Sequence, residues 1–390
     1  MEKKNNFLPF YAPCETQMEE KYVLEVLRSK WWSTGLMTKK FENEFANLVG
    51  AKYVLAVNSC TAALHIALTA LGVNDGDEVI TVSMTFCSTV NTILHLRARP
   101  VFCDIDEKTG LMDLDLLESL ITPKTKVILP VYYGGQCVNI EKVMEIAEKY
   151  KIKVLADAAH ATGTYYNKKP IGNYADATAF SFYATKNLST GEGGLLATND
   201  EKVYEMALKL YLHGMDKDAY KRYDNSKSFE YDVTELGYKY NLSDINAAVG
   251  MAQLSHFSDM QESRRELSEI YRKELEQVRG IKPLEIEENS TSSNHLFVVK
   301  IENEYPLNRD VLYEKLREYN IGTSVHFIPV HYFTYYKKYF ENIKLKLPKT
   351  EKFYSQILSL PLYSDMKKED VYYVIDAIRE IAQGDVKGRN

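Results

Sequence analysis

Ala177-Thr178-Ala179-Phe180-Ser181-Phe182-Tyr183-Ala184-Thr185-Lys186-Asn187 decides how this chain is read. It starts as an apolar run of strand character and passes, after Phe182, into small and hydroxyl-bearing residues that lead to a lysine. The glycine-rich run Gly191-Glu192-Gly193-Gly194 follows closely. Twenty-nine positions before Lys186 (186 minus 157) stands Asp157, at the end of a second apolar run, Lys153-Val154-Leu155-Ala156-Asp157. A lysine between an apolar strand and a small-residue loop is an unusual place for a solvated side chain. A strand-ending aspartate before Ala158-Ala159-His160 is either a helix cap or a buried carboxylate with other work.

Both runs belong to a longer alternation. Strands are expected at Tyr53–Val57, Glu78–Val82, Pro100–Asp104, Lys126–Val131, Lys153–Asp157, Ala177–Phe182 and Gly194–Thr198. Helical patterns lie between them, among them Thr61–Leu71, Ser88–Leu96 and Ile140–Tyr150. Such an alternation indicates βαβ units and a mostly parallel sheet covered on both faces. Ligands of these sheets gather at the carboxyl ends of the strands. Asp157 and Ser181 stand at two such ends and Lys186 just beyond, so the three converge on one crevice.

From Ser243 the pattern changes to a long helix or helix pair, uninterrupted by proline until Pro283. A strand-like run (His295–Ile301), a helix (Arg309–Tyr319), a further strand-like run (Gly322–Phe327) and a final helix (Lys368–Ile381) complete a smaller α/β unit. The expected organisation is an N-terminal segment at 1–30, a large domain at 31–255 and a small C-terminal domain at 256–390. A length of 390 residues suits two cores better than one.

Composition excludes several function classes. A net charge of -6, from 48 basic and 54 acidic residues, argues against a nucleic-acid surface. No apolar run approaches the length needed to span a membrane, and the polar start Met1-Glu2-Lys3-Lys4 lacks signal-peptide character, so a cytoplasmic location is expected. The cysteines (14, 60, 87, 103 and 137) form no CxxC pair and read as reduced thiols. No cluster has metal-site spacing, so no metal is expected.

A lysine amine able to form a Schiff base, with a carboxylate to face a pyridinium nitrogen, is the minimal protein equipment for pyridoxal 5'-phosphate (PLP). Other residues fall into place around that pair. Asn58-Ser59-Cys60-Thr61-Ala62-Ala63-Leu64-His65 follows a strand and opens a helix, either as a plain Ser/Thr cap or as a phosphate cradle of free N–H groups. Phe86, in the loop Ser83-Met84-Thr85-Phe86-Cys87-Ser88-Thr89, is either a ring that stacks on a flat ligand or a core residue. His160 either contacts the cofactor or caps its neighbours.

Taken in order, these stretches resemble the DegT/StrS family of sugar-nucleotide aminotransferases, within the aspartate-aminotransferase-like PLP fold (fold type I). The likeness runs from Phe7-Leu8-Pro9-Phe10 and Trp32-Ser33-Thr34-Gly35 through Leu155–Ala161, Ser181–Asn187 and Glu192-Gly193-Gly194. It continues in Gly237–Ala248, Gly322-Thr323-Ser324-Val325-His326-Phe327 and Leu360-Pro361-Leu362. Within the family the wording is similar to enzymes that aminate C4 of UDP-4-keto sugars, such as the one that makes UDP-4-amino-4-deoxy-L-arabinose.

The resemblance implies that Lys186 carries the cofactor and shuttles the proton, that Asp157 pairs with the pyridine nitrogen, and that Phe86 stacks on the ring. Cys60, Thr61 and Ser181 would hold the phosphate, and His160 would stand over the ring where glutamine is frequent. Asn241 would reach the phosphate from the partner subunit of a homodimer with shared active sites. The family's usual Asn-Tyr-Arg is replaced by Lys239-Tyr240-Asn241, which leaves open whether Asn241 or Lys239 faces the ligand. Thr34, Gly35, His326 and His331 would lie near a UDP- or dTDP-linked keto sugar, with an amino acid, L-glutamate, as donor.

Amination at C3 or of a cyclitol ketone stays open as an alternative, as does a non-catalytic sensor on the same fold. A sugar dehydratase is disfavoured, because related dehydratases carry histidine where Lys186 stands. Two further stretches have double readings. The aromatic and basic run Tyr332–Phe340 is preferred as an amphipathic helix burying its rings over a rim that stacks a base. Met215–Tyr231, with Lys217, Lys221 and Arg222, is either a loop over the diphosphate or solvated surface.

Overall fold

The structure is a computed structural model and describes residues 3–215, 231–340 and 347–388. The stretch Met215–Tyr231, with its double reading as a loop over the diphosphate or solvated surface, lies mostly outside these residues. The central sheet has seven strands: β1 (Tyr53–Val57), β2 (Glu78–Val82), β3 (Arg99–Cys103), β4 (Thr125–Ile128), β5 (Lys153–Asp157), β8 (Ala177–Ser181) and β9 (Gly194–Thr198). A small ribbon, β6 (Tyr165–Tyr166) and β7 (Lys169–Pro170), separates β5 from β8 in sequence. The spatial order is β1-β9-β8-β5-β4-β2-β3. β9 runs antiparallel to β1 and β8, and the remaining pairings are parallel. All five residues of β2, β8 and β9 are buried, as a sheet covered on both faces requires.

Helices α1 (Gln17–Ser29) and α2 (Leu36–Val49) precede the sheet. They are followed by α3 (Cys60–Ala70), α4 (Cys87–His95), α5 (Leu114–Leu117), α6 (Ile140–Tyr150) and α7 (Glu201–Leu210). The run expected from Ser243 is a helix pair: α8 (Asp244–Ser255) and α9 (Phe257–Leu275) break at His256, whose backbone leaves the helical region at φ -127, ψ 16. Ser243 caps α8, its hydroxyl accepting from Asn246 N at 3.3 Å.

The later segment holds α10 (Arg309–Glu318), α11 (Thr334–Phe340), α12 (Pro348–Gln356) and α13 (Lys368–Gly388). β11 (Ser290–Thr291) extends the β6–β7 ribbon, and β10 (Ile281–Pro283), β12 (Phe297–Ile301) and β13 (Ile357–Leu360) form an antiparallel sheet in the order β10-β12-β13. Leu267 and Leu275 of α9, Val299 of β12, Leu312 and Leu316 of α10, and Val374 and Ile378 of α13 form an apolar cluster separate from that of the large sheet. Leu8 of the N-terminal segment joins it.

One expected strand is corrected. Gly322–Phe327 is not a strand; only Ser324 bridges the sheet, opposite Ser359. The edge beside β12 is taken by β13, whose run Ile357-Leu358-Ser359-Leu360 pairs with residues 297–300. Gly322–Phe327 is thereby left as an extended loop that delivers His326 and Phe327 to a cavity. The aromatic run is corrected as well. α11 buries Tyr336, while Tyr335 and Tyr339 are 54% and 42% exposed, so one ring anchors the helix and the others face solvent. Among the described residues no helix is long and apolar enough to cross a membrane.

Candidate active site

A cavity of about 620 Å³ opens at the carboxyl ends of β1, β2, β5 and β8. Asp157 closes β5 and Ser181 closes β8, so strand geometry delivers both side chains to its floor. Lys186 follows in a turn in which its N–H donates to Tyr183 O at 2.8 Å. A larger groove of about 940 Å³, lined by α8, α9 and the β6–β11 ribbon, contains none of these residues. Volume therefore does not choose the site; the chemistry of its walls does.

Asp157 is 4% exposed. Thr89 Oγ1 donates to its Oδ2 at 2.8 Å and Ala159 N to its Oδ1 at 3.1 Å. Burial pushes its carboxyl pKa up against these two bonds and the nearby Lys186 charge. Burial also lowers the Lys186 amine to about 8, although Cys60 and Asp157 pull the other way. An ordinary lysine is almost wholly protonated at neutral pH, whereas one with a pKa near 8 keeps roughly a tenth of its amine free there.

The phosphate-sized end of the cavity is the start of α3. Ser59 caps this helix: its Oγ accepts from Ala62 N at 3.1 Å and its carbonyl from Ala63 N at 3.1 Å. The N–H groups of Cys60 and Thr61 have no partner within the helix, and both residues line the cavity. Gly194 presses on this turn; a Cβ there would collide with the Cys60 nitrogen and the Ser59 carbonyl carbon. Phe86, at the N-cap of α4, is 59% exposed, which rules out core packing, and it lines the same cavity.

His160 is buried, with Gly134 N donating to its Nδ1 at 3.3 Å, so in the neutral ring Nε2 carries the proton. Burial first, then Lys186 and His326, drive its pKa well below the ordinary histidine value. His326 lines the cavity too; its Nδ1 lies 2.9 Å from Ser359 Oγ, and burial lowers its pKa to about 4.

Four of the residues expected near ligands are placed outside this cavity. Asn241 donates through Nδ2 to Thr34 Oγ1 at 2.7 Å, and the Thr34 hydroxyl donates to Leu242 O. Gly35 N donates to Asp244 Oδ1 at 2.8 Å. Thr34, Gly35 and Asn241 thus form their own cluster where α2 meets α8. His331 sits behind Ser83, its N–H donating to Ser83 Oγ at 3.2 Å and its Nδ1 lying 2.7 Å from the same oxygen. One lining residue escaped the sequence reading. The sequence pattern puts His295 at the start of a strand, but β12 begins at Phe297 and the two residues before it line the cavity.

The donor set suits PLP. It offers a buried carboxylate with only two hydrogen-bond donors and a lysine nearby, free helix N–H groups beside a serine hydroxyl, an exposed ring, and an amine partly deprotonated at neutral pH. Walls of this kind, at the strand ends of a mixed, mostly parallel sheet, define the fold type I class of PLP enzymes.

Comparison with known proteins agrees. The model of the DegT/DnrJ/EryC1/StrS aminotransferase family matches residues 13–379. The spore coat polysaccharide biosynthesis protein SpsC of Bacillus subtilis is 46% identical over 98% of this chain and 99% of its own. Spr1654 of Streptococcus pneumoniae, solved in a PLP form, is 32% identical with a TM-score of 0.89, over 97% of this chain and 99% of its own. Helicobacter pylori PseC, an aminotransferase involved in the biosynthesis of pseudoaminic acid, is 30% identical with a TM-score of 0.90, over 97% of this chain and all of its own. The chain belongs to the DegT/DnrJ/EryC1/StrS aminotransferase family. It is a PLP-dependent aminotransferase with the aspartate-aminotransferase-like fold.

Proposed function

We propose that this enzyme transfers an amino group from L-glutamate to C4 of a nucleotide-linked keto sugar, in the supply of amino sugars for polysaccharide or glycan synthesis. The observation that carries the reading is the meeting, in one cavity, of a lysine with its amine at about 8 and a buried aspartate whose carboxyl pKa burial pushes up. The names of SpsC and PseC, which are similar along nearly the whole chain, support sugar chemistry.

When bound, PLP supplies an electron sink for the carbon that loses a proton. The protein's part follows from its own groups. The Lys186 amine, tethered in the cavity, takes the donor's α-proton at Nζ and returns it on the far side of the exchange. Asp157 holds a positive charge at the ring nitrogen, which relieves its own buried charge. The Cys60 and Thr61 N–H groups and the Ser181 hydroxyl would hold the phosphate, and Phe86 and His160, which carries its proton on Nε2, would hold the ring. His326, on the cavity wall, is assigned to the sugar nucleotide, and Thr34, Gly35 and His331, which lie outside this cavity, are assigned to its more distant parts. In a homodimer, Asn241 of the partner subunit reaches the phosphate; its place outside its own cavity is compatible with that role. The second apolar cluster, drawn from Leu267 onward with Leu8, supports a small domain after residue 255, although Phe257, Leu284, Leu296, Val298, Phe353 and Ile357 join the cluster of the large sheet.

The visible spectrum of the PLP-loaded protein tests this reading. Glutamate should bleach the yellow band, and a nucleotide-linked 4-keto sugar should restore it. A band indifferent to glutamate overturns the donor, and one restored only by a 3-keto sugar or a cyclitol ketone overturns the C4 assignment.

A further inference from the structure

His295 has no part in the roles above, yet it lines the cavity of Lys186 at 6% exposure. Its Nδ1 lies 2.9 Å from Oδ1 of Asn187, the residue after the lysine. The Asn187 amide is oriented by its other end, where Nδ2 donates to Ser293 O at 2.7 Å and to Gln261 Oε1 at 2.9 Å. Gln261 is oriented in turn, its Nε2 donating to Ser293 O at 3.2 Å. An amide whose nitrogen faces two acceptors turns its oxygen to the histidine. Nδ1 therefore carries the imidazole proton, and the lone pair falls on Nε2, the edge turned away from Asn187.

The groups around His295 hold that state. Lys186, His160, with its ring centroid 4.4 Å away, His326 and Arg264 all disfavour a second proton. Burial is the largest cause and drives the ring pKa well below the ordinary value. Arg264 Nη1 also donates to Leu362 O at 3.1 Å and approaches His295 O at 3.5 Å, fixing the backbone from behind.

We propose that His295 is a specificity residue for the amino-group acceptor: its imidazole, with Nδ1 held by Asn187, offers Nε2 as a hydrogen-bond acceptor to a hydroxyl of the keto sugar. The inference rests on the sugar substrate proposed above. A lone pair repels carboxylate oxygens, so the hydroxyl-rich substrate is its fitting partner and the amino acid donor is not.

The state of the ring is read first, in the cofactor-free wild-type protein, by long-range proton–nitrogen NMR of histidine. The expected pattern is Nδ1–H, unchanged from about pH 6 to about pH 8. An Nε2–H pattern, or titration to the cation in that window, overturns the proposal. Kinetics follow with His295→Asn, which keeps an N–H towards Asn187 and deletes Nε2. The variant should lose about tenfold in kcat/KM for the keto sugar, mostly in KM, and much less in the half-reaction with the donor. An equal loss in both half-reactions, or none with the sugar, overturns it. Should the variant fail to fold, the wild-type His295 Nε2 resonance must move when the keto sugar is added, and a fixed resonance is the contrary result. A wild-type enzyme that aminates no nucleotide-linked keto sugar sinks the substrate reading, whereas one that does, with a variant matching it, sinks only the role of His295.

Discussion

Asp157 and Asp244 are equally buried, each 4% exposed, and they are served very differently. Asp244 accepts at Oδ1 from Gly35 N, Thr38 N and Thr38 Oγ1 at 2.8, 2.9 and 2.6 Å, and at Oδ2 from Met37 N at 3.2 Å. It caps α2 from the first turn of α8, where the helix dipole favours an anion. Asp157 has two donors, lies on the floor of a cavity and has its pKa pushed up by burial. A carboxylate whose oxygens are fully engaged holds two helices together. One left with charge to spare is waiting for a ligand.

The largest effect that sharpens this contrast is on the lysine facing Asp157. Lys186→Ala should lower transamination at least about a thousandfold while the fold survives, since the site loses its amine and no packed core residue. Circular dichroism and single-turnover spectra read the two quantities separately, and retained transamination would sink the assignment of the site.

Exchanging carboxylate for amide at the two aspartates comes next. Asp157→Asn should cost activity about a hundredfold or more and leave the cofactor-free fold at least as stable near neutral pH. The sign follows from linkage: a carboxyl raised by burial costs stability where it is ionised, above its folded pKa, and the cost fades as pH falls towards the unfolded value. The variant's advantage in thermal melting should therefore shrink on acidification. Asp244→Asn should do the opposite, losing about 2–3 kcal/mol because an NH2 group now faces the N–H groups that start α2. If both variants destabilised alike, the distinction between the two aspartates would fail.

That contrast was only half legible in the sequence. Asp157, Ser181 and Lys186 could be placed because they end or follow strands buried over all or nearly all of their length, whose apolar runs mark both position and direction. The seven strands of the large sheet fall within a few residues of expectation for the same reason. The role of Asp244 was not visible beyond a helix start, because its partners Gly35 and Thr38 are more than two hundred positions away. The small sheet differs from expectation at Gly322–Phe327, which lies beside β13 with only Ser324 bridging it, because strand propensity does not say which runs pair along their length. His295 escaped notice because its meaning lies in an amide orientation, which no local pattern encodes.

The smallest expected effect concerns Cys60. Its thiol is buried and its pKa is raised well above the ordinary value, by burial first and then by the Asp157 charge. The side chain is therefore a neutral thiol at neutral pH and brings no charge to the phosphate. What it offers is its N–H, kept free because Ser59 caps Ala62 and Ala63. Cys60→Ala keeps that N–H and the start of α3, so PLP affinity measured by fluorescence titration should stay within about threefold of wild type. A tenfold loss would mean that the sulfur itself touches the ligand, and the phosphate cradle would then be a side-chain site and not a backbone one.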